Sequence, residues 1–444
     1  MWSAATVAEA VVEIERLCYG GAGFGRIDGK ACFVPLTAPG DKARVRVVKE
    51  KRSFAEAEVV ELLEPSPLRT DPACPYFGVC GGCDWQHLPY AEQLKQKGEI
   101  FADTLARIGK VPRELVLPVS PSPECFGYRS RIQLKVARKG GIPTLGFFKR
   151  GSHDVVDLAA GCALAAPLLN QALAEVRGIL PRLPQLEGIT QVDLAMGDDG
   201  ESIAVFHYRG KDAASLLDCL LAARPELPSV TGAYVKTGEK GEMSAVFGVD
   251  SLSYGVPAGL FPGSREVRLR FSRGGFSQVN YRQNLELIKT VGEWGALREG
   301  ARVLDLYCGN GNISVPIAPL VGEVVGVEGY APSIVDAAAN AEANGALNAR
   351  YLVGDAALSV RRLAKRKEKF DLVVLDPPRA GAEAAGELAI LAPERILYVS
   401  CDPATLARDL GQLCGAGYRV ARSKPVDMFP QTYHLESVTE LIRD

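Results

Sequence analysis

From about residue 7 to residue 63, apolar and polar side chains alternate. Val11-Val12-Glu13-Ile14-Glu15, Ala31-Cys32-Phe33-Val34-Pro35 and Ala43-Arg44-Val45-Arg46-Val47-Val48 carry the two-residue period of half-buried strands. Gly20 to Gly25 and Pro39-Gly40-Asp41 supply the turns between them. Several short strands in so little chain predict a small β-barrel over residues 1–66, with Pro65-Ser66-Pro67-Leu68-Arg69 as a linker.

The pattern then changes twice. Residues 91–110 read as a helix on the spacing of Glu92, Leu94, Phe101, Leu105 and Ile108. Strand patterns return at Arg131 to Val136, Val192 to Met196, Ile203 to Tyr208 and Tyr234 to Lys236, with helical stretches near 166–179 and 212–223. That mixture predicts a central α+β domain with an antiparallel sheet over 67–270. From 271 to 444 strands and helices alternate: Val303 to Leu306, Glu323 to Val327, Asp371 to Leu375 and Arg395 to Val399 are β-rich, with helices between. This is the rhythm of a doubly wound, Rossmann-like α/β domain, whose ligands sit beyond the C-terminal ends of its strands.

Composition adds little to this picture. With 47% hydrophobic and 23% charged residues, the chain reads as an ordinary globular protein. The net charge of −2 argues against a uniformly basic nucleic-acid binder but leaves room for local basic patches. No apolar run is long enough for a membrane span, and Met1-Trp2-Ser3-Ala4 opens without a basic, then apolar, leader. The expected location is the cytoplasm, where the 11 cysteines stay reduced or bind metal.

The chemistry gathers at the predicted strand ends. Asp305-Leu306-Tyr307-Cys308-Gly309-Asn310-Gly311-Asn312 follows a strand and opens a helix. Glu328 ends the next strand, where a carboxylate can bind ribose hydroxyls, and Asp355 stands where an adenine amino group could be met. Ser314 replaces the third glycine of a dinucleotide fingerprint. The arrangement resembles class I S-adenosylmethionine-dependent methyltransferases. Asp376-Pro377-Pro378 then fixes a rigid turn. Amino-group methyltransferases place an aromatic residue after such a turn, but here Arg379 follows.

Cys401, in Val399-Ser400-Cys401-Asp402-Pro403, decides between the two chemistries. Carbon 5 of uracil is a poor nucleophile. Thiolate addition at carbon 6 makes it able to take a methyl group, after which a base must remove the carbon 5 proton. Cys401 precedes a helical stretch, Ala404 to Leu413, whose N-terminus would favour the thiolate. Glu436, among the apolar residues Leu435, Val438 and Leu441, has the setting of a general base with a raised pKa. His434 is the alternative base.

Together with Phe276-Ser277-Gln278-Val279-Asn280 and His434-Leu435-Glu436-Ser437, these motifs closely resemble the RNA (uracil-5-)-methyltransferase family over nearly the whole chain. The resemblance implies that Gln278, Tyr307, Asn312, Glu328, Asp355 and Asp376 surround the donor and target base, with Cys401 as nucleophile and Glu436 as base. The barrel resembles a TRAM domain, an OB-like RNA-binding module. Barrel and cysteines together are most like the 23S rRNA 5-methyluridine enzymes. The same reaction on tRNA, or an amino-group methylation that bypasses Cys401, is the alternative. No obligate protein partner is evident.

Cys74, Cys80 and Cys83 lie close enough in sequence for a soft metal centre. A fourth thiol must come from Cys125 or Cys162. The resemblance implies Cys162 and a 4Fe-4S cluster, and zinc is the alternative on spacing. Because the reaction moves no electron, such a cluster is expected to brace the central domain and its RNA-facing surface. Between Tyr128 and Arg150 stand Arg129, Arg131, Lys135, Arg138, Lys139, Lys149 and Arg150, without an acidic residue and with Phe147 and Phe148 interleaved. A basic strand surface with aromatics is expected there for single-stranded RNA, and the target uridine is expected to leave its stack.

Overall fold

The computed structural model describes residues 9–140, 142–238 and 243–444; the opening segment Met1 to Ala4 and the Lys139 side chain lie outside the described residues. The first alternating stretch closes into a barrel. Its strands are β1 (Glu9–Leu17), β2 (Gly23–Ile27), β3 (Lys30–Val34), β4 (Lys42–Glu50) and β5 (Phe54–Glu64), in the order β1-β2-β3-β5-β4. β1 pairs with β4 to complete the ring. The apolar phase of the alternation fills the inside with Val12, Ile14, Cys32, Val34, Ala43 and Val45. The polar phase of β4 and β5 forms cross-strand pairs outside, among them Lys42 with Glu64 and Arg46 with Glu58. Such exposed pairs contribute little to stability.

The predicted helix is α1 (Tyr90–Ile108), but its buried face differs from the expected apolar one. Gln93, Gln96, Lys97, Phe101, Ala102 and Leu105 are buried, whereas Ile108 is 51% exposed. Half of that face is polar because Gln93 and Lys97 meet a distant loop, described below, and Gln96 accepts the Leu17 N–H of the barrel at 3.4 Å.

The central sheet contains β6 (Arg131–Lys139), β7 (Ile142–Phe148), β8 (Val155–Asp157), β9 (Ile189–Met196), β10 (Ser202–Tyr208), β11 (Gly232–Thr237) and β12 (Met243–Gly248). They run in the order β12-β11-β10-β9-β6-β7-β8, antiparallel except at β10 and β11. Helices α2 (Pro167–Ile179) and α3 (Ala213–Ala222) cover one face, where Leu169, Leu173, Val176, Leu216 and Leu220 join the sheet residues in one core. A hairpin, β13 (Ser251–Val256) and β14 (Val267–Ser272), follows. Its Leu252, Val256, Leu269 and Phe271 share a core with residues of the third unit.

That unit opens with α4 (Tyr281–Trp294) and continues β15 (Arg302–Leu306), α5 (Ser314–Ile317), β16 (Glu323–Glu328), α6 (Ala331–Ala343), β17 (Ala349–Val353), α7 (Ala356–Lys365), β18 (Leu372–Leu375), α8 (Ala385–Leu391), β19 (Arg395–Ser400), α9 (Pro403–Gly415), β20 (Tyr418–Val426) and β21 (Glu436–Arg443). The sheet order is β17-β16-β15-β18-β19-β21-β20. The five strands from β15 to β19 are parallel, and β21 inserts antiparallel between β19 and β20. Strands buried on both faces need apolar residues throughout, which explains the runs Leu372-Val373-Val374-Leu375 and Ile396-Leu397-Tyr398-Val399. The start of β21 therefore lies at the same edge as the ends of the parallel strands.

Candidate active site

All the predicted catalytic-domain residues except Gln278 arrive at that one edge. β15 ends at Leu306, and Tyr307 turns the chain with a left-handed φ of 65° while its N–H donates to Val327 O at 2.8 Å. Gly311, at φ 84°, has no room for a side chain, since a Cβ would stand 2.7 Å from Val315 Cγ2. Asn312 and Asn284 on α4 form a reciprocal amide pair at 2.8 Å in each direction, and Tyr254 donates to Asn312 Oδ1 at 2.9 Å. Most of the Asn312 amide is thus committed to holding the loop. Glu328, at the end of β16, accepts the Tyr330 N–H at 2.8 Å and the Gly309 N–H at 3.3 Å. Asp355 caps α7 by accepting the Leu358 N–H at 2.8 Å. Gln278 is buried in the segment leading to α4, where its carbonyl accepts from Ser130 Oγ at 3.4 Å.

Acidic groups crowd the middle of this edge. Burial pushes Asp305 up to about 7, and Asp376 and Glu328 add to the effect. Asp376 also rises to about 7, through burial and the charge of Glu328. Glu436, 4% exposed, is raised well above the usual carboxylate range by burial first and by Asp376 second, while Arg379 opposes. One of its oxygens, Oε2, is buried with no hydrogen-bond partner. A carboxylate so placed binds a proton readily, as a general base must. His434 is pushed down to about 4 by burial and by Arg379, so it is a weak base. Its ring packs on Tyr433 at 4.1 Å between centroids, with Arg379 Nη2 at 3.4 Å from Nδ1.

Cys401 follows the last residue of β19, and Glu436 is the first of β21. Ser400 faces Ser437 across the pair. The thiol is pushed up to about 12 by burial, then by Glu436 and Asp376; Arg379 pulls it down. The expected help from the helix terminus is not available in this arrangement. Asp402 caps α9 and takes the Ala404 and Thr405 N–H groups at 3.0 and 2.9 Å, so the nearest donors are already spent on a carboxylate. The resting thiol is protonated, and Arg379 is the cationic side chain beside it. Local sequence marks Arg379 only as the residue after the Pro-Pro turn. Its proximity to Cys401, Glu436 and His434 needs the fold.

The barrel reaches this edge. Tyr19 Oη donates to Asp402 Oδ2 at 2.7 Å, and the Tyr19 ring meets Tyr433 edge-on at 5.5 Å.

Cys74, Cys80, Cys83 and Cys162 line one cavity of about 720 Å³, which Arg379 and His434 also border. Cys162 is brought to the other three. Cys125 stands instead near Lys97 and Asp427. Among the described residues no group of three or more His, Cys, Asp or Glu side chains is arranged to hold a single metal ion. The Nε of Arg129 is buried without a partner in the same region, and the Cys162 and Cys83 thiols act on its charge. A buried cation with an open donor fits a thiolate-bound centre of negative charge.

The basic stretch is not one solvated face. Arg131 pairs with Asp193 at 3.6 Å, Arg138 with Glu187 and Arg150 with Asp84 at 3.0 Å, while Lys135 bonds Gln191 and lies 5.5 Å from the Phe148 ring centroid. The acids come from elsewhere in the chain, so a reading of the stretch by itself overstates its free charge. Phe147 packs on the central core, and Phe148 is 37% exposed.

Comparison with known proteins agrees with this geometry. Residues 258–444 match the family model described as tRNA (Uracil-5-)-methyltransferase, and residues 7–60 match the TRAM domain. The chain is 36% identical over 440 residues to an uncharacterized RNA methyltransferase of Thermosynechococcus vestitus, covering 97% of each protein. It is 36% identical over 441 residues to the 23S rRNA (uracil(1939)-C(5))-methyltransferase RlmD of Alkalilimnicola ehrlichii, covering 98% of this chain and 96% of the relative. Among solved structures it resembles the Pyrococcus abyssi tRNA (uracil-54, C5)-methyltransferase in complex with S-adenosyl-L-homocysteine, with a TM-score of 0.75, 25% identity, and coverage of 97% of this chain and 99% of that one.

Proposed function

The chain belongs to the RNA (uracil-5-)-methyltransferase family, and from that premise we propose that it methylates carbon 5 of a uridine in 23S rRNA through a covalent bond between Cys401 and carbon 6. The observation that carries this reading is the meeting of Cys401 and Glu436 at one sheet edge, both within the influence of Asp376. An amino-group methyltransferase has no use for a thiol there.

S-adenosylmethionine supplies the methyl group. Tyr307, Asn312, Glu328 and Asp355 shape the adenosine end of its site, the last three through the loop and strand ends described above. Asp376 would face the donor and target base from that edge, and Gln278 is kept in the site only on the family resemblance. Cys401 gives up its proton to solvent and adds to carbon 6, with Arg379 holding positive charge beside the sulfur while it is an anion; carbon 5 then takes the methyl group from the sulfonium, whose carbon–sulfur bond breaks to release S-adenosylhomocysteine. Glu436 then takes the proton from the methylated carbon 5, and the sulfur leaves. The high proton affinity of Glu436 suits that last transfer.

Cys74, Cys80, Cys83 and Cys162 would hold a 4Fe-4S cluster. Zinc bound by four thiolates at about 2.3 Å would bring the sulfurs to about 3.8 Å of each other, closer than a cluster does. The partnerless Arg129 donor suits either negatively charged centre, and the cluster is the one that the family resemblance implies. Its role would be structural, and the segment just after Cys83 contacts the catalytic loop directly. We read three units: barrel to residue 66, central domain, and methyltransferase domain. The last is read as 271–444, and the β13–β14 hairpin before it packs in a core shared by Ile203, Val205 and Tyr234 of the central sheet and by residues of the third unit.

The 23S target is favoured by relatives named as 23S rRNA (uracil(1939)-C(5))-methyltransferases that match over nearly the whole chain. The tRNA reading is kept alive by the archaeal structure, which covers nearly the whole chain. Mass spectrometry of separately digested 23S and transfer RNA from cells lacking the protein decides: loss of 5-methyluridine from 23S supports the proposal, and loss from tRNA alone overturns it.

A further inference from the structure

Val426 and Glu436 face each other where β20 and β21 part, and the chain between them makes a loop. Every backbone carbonyl from Asp427 to Gln431 is held by another part of the molecule. Gln283 Nε2 donates to Asp427 O at 3.0 Å, and Asn280 Nδ2 to Met428 O at 3.3 Å. Lys97 Nζ donates to Phe429 O at 3.0 Å, and Tyr128 Oη to Pro430 O at 3.0 Å. The N–H groups of Asp84 and Trp85 both donate to Gln431 O, at 3.0 and 3.1 Å.

One grip is a reciprocal pair of amides. Gln93 on α1 is fully buried. Its Oε1 accepts the Gln431 N–H at 3.0 Å, and its Nε2 donates to Gln431 Oε1 at 2.9 Å. The same Nε2 also donates to Leu88 O at 2.9 Å and Trp85 O at 3.2 Å. Gln431 sits at φ 70°, a conformation that side-chain-bearing residues rarely adopt. Such a residue persists only where its surroundings over-determine it, and such residues cluster at functional sites. This loop delivers the chain to Glu436, whose carboxyl has an oxygen with no partner of its own. Glu436 opens β21 and lies in the terminal rung of its ladder with β20, where the loop joins it.

We propose that Gln93 is a positioning residue for Glu436, acting through its amide pair with Gln431. This rests on the reading of Glu436 as the general base. In the step concerned, the proton of carbon 5 passes to the Glu436 carboxylate. The electron pair of that bond re-forms the double bond between carbons 5 and 6. The carbon 6–sulfur bond breaks, and its pair returns to Cys401. Gln93 touches none of these atoms. Its loss leaves thiol addition and methyl uptake in place and slows the release of the methylated adduct.

The experiment uses the full-length enzyme with its natural RNA. The variants are Gln93→Ala and Gln431→Gly, with Glu436→Gln as reference. Glycine at position 431 is relaxed at that φ, so Gln431→Gly keeps the loop's backbone while removing half of the amide pair. Methyl transfer is timed in a single turnover, and the methylated protein–RNA adduct is measured after denaturation during steady turnover. We expect both variants to build up adduct, between the levels of unsubstituted enzyme and Glu436→Gln, with methyl transfer changed by no more than about twofold. Adduct at the unsubstituted level, or methyl transfer falling in step with turnover, would overturn the role of Gln93. Should Glu436→Gln itself accumulate no adduct, it is the assignment of the base that fails.

Discussion

Ser400 and Ser437 stand opposite each other on β19 and β21, with Ser437 Oγ 3.4 Å from Ser400 O. Cys401 is one residue beyond the first, and Glu436 one residue before the second. Because the strands are antiparallel, those neighbours emerge at the same edge. The proposed nucleophile and base, separated by 35 positions in sequence (436 minus 401), are thus paired by one register.

That register makes two substitutions act in opposite ways. Cys401→Ala should abolish both methylation and adduct with an RNA carrying 5-fluorouridine at the target. Glu436→Gln should keep adduct formation and lose release, leaving a denaturation-resistant conjugate with ordinary RNA. Denaturing electrophoresis reads both. Methylation surviving in Cys401→Ala would restore the amino-group reading.

The proton on the thiol sets a pH dependence. Cys401 lies at about 12, so between about pH 6 and 9 the thiolate is the minor form and grows tenfold per pH unit. Trapping by 5-fluorouridine RNA does not need carbon 5 to lose a proton, so it isolates this step. Its rate should rise with pH across that window. Arg379 draws the thiol down, so Arg379→Met should trap several-fold more slowly at each pH while keeping the slope. A flat profile in the unsubstituted enzyme would show that the thiol is already ionised on encounter.

Much of this was legible in the sequence because the chemistry sits at strand ends. Glu328, Asp376 and Cys401 each follow or close an apolar run, and a doubly wound sheet gathers such ends by topology alone. Two things were not legible. Lys97, Gln93 and Gln96 look like the solvent side of a helix, yet they are buried: Lys97 and Gln93 bond the loop from Asp427 to Gln431, some 330 residues away, and Gln96 accepts the Leu17 N–H of the barrel. The basic stretch from Arg129 to Arg150 looks free only until Asp84, Glu187 and Asp193 fold onto it. Local pattern cannot report on charges that arrive from elsewhere.

The thiols give a compositional test. Cys162→Ala should lower iron and acid-labile sulfide in the purified protein sharply, and Cys125→Ala should leave both unchanged. Elemental analysis beside the visible spectrum measures it. Zinc in place of iron in protein prepared without oxygen would replace the cluster by a tetrahedral site.

The barrel's contact with the active site predicts an effect on capping rather than on chemistry. Asp402 serves α9 as N-cap and Tyr19 as acceptor. Asp402→Ala should therefore destabilise the protein by about 0.5–2 kcal/mol, the usual cost of an N-cap. Tyr19→Phe, which keeps the ring against Tyr433, should cost about 0.5–1.5 kcal/mol, less than an uncompensated buried charge. Urea melts of the three proteins compare them. Equal stability in all three would mean that the cap is satisfied some other way.

The Lys97–Asp427 pair allows a sharper test, since both side chains are wholly buried and meet at 2.5 Å. Burial disfavours the Lys97 ammonium, and Asp427 is its main support. Removing one partner strands the other charge, which costs about 3–5 kcal/mol in comparable pairs. Lys97→Met and Asp427→Asn should each be strongly destabilising. The double variant should lose much less than their sum, because neither charge is then left alone. It should not regain full stability, since Lys97 Nζ also donates to Phe429 O and methionine cannot. Additive losses in the cycle would mean that the two groups do not depend on each other and that the loop is held by its carbonyl contacts alone.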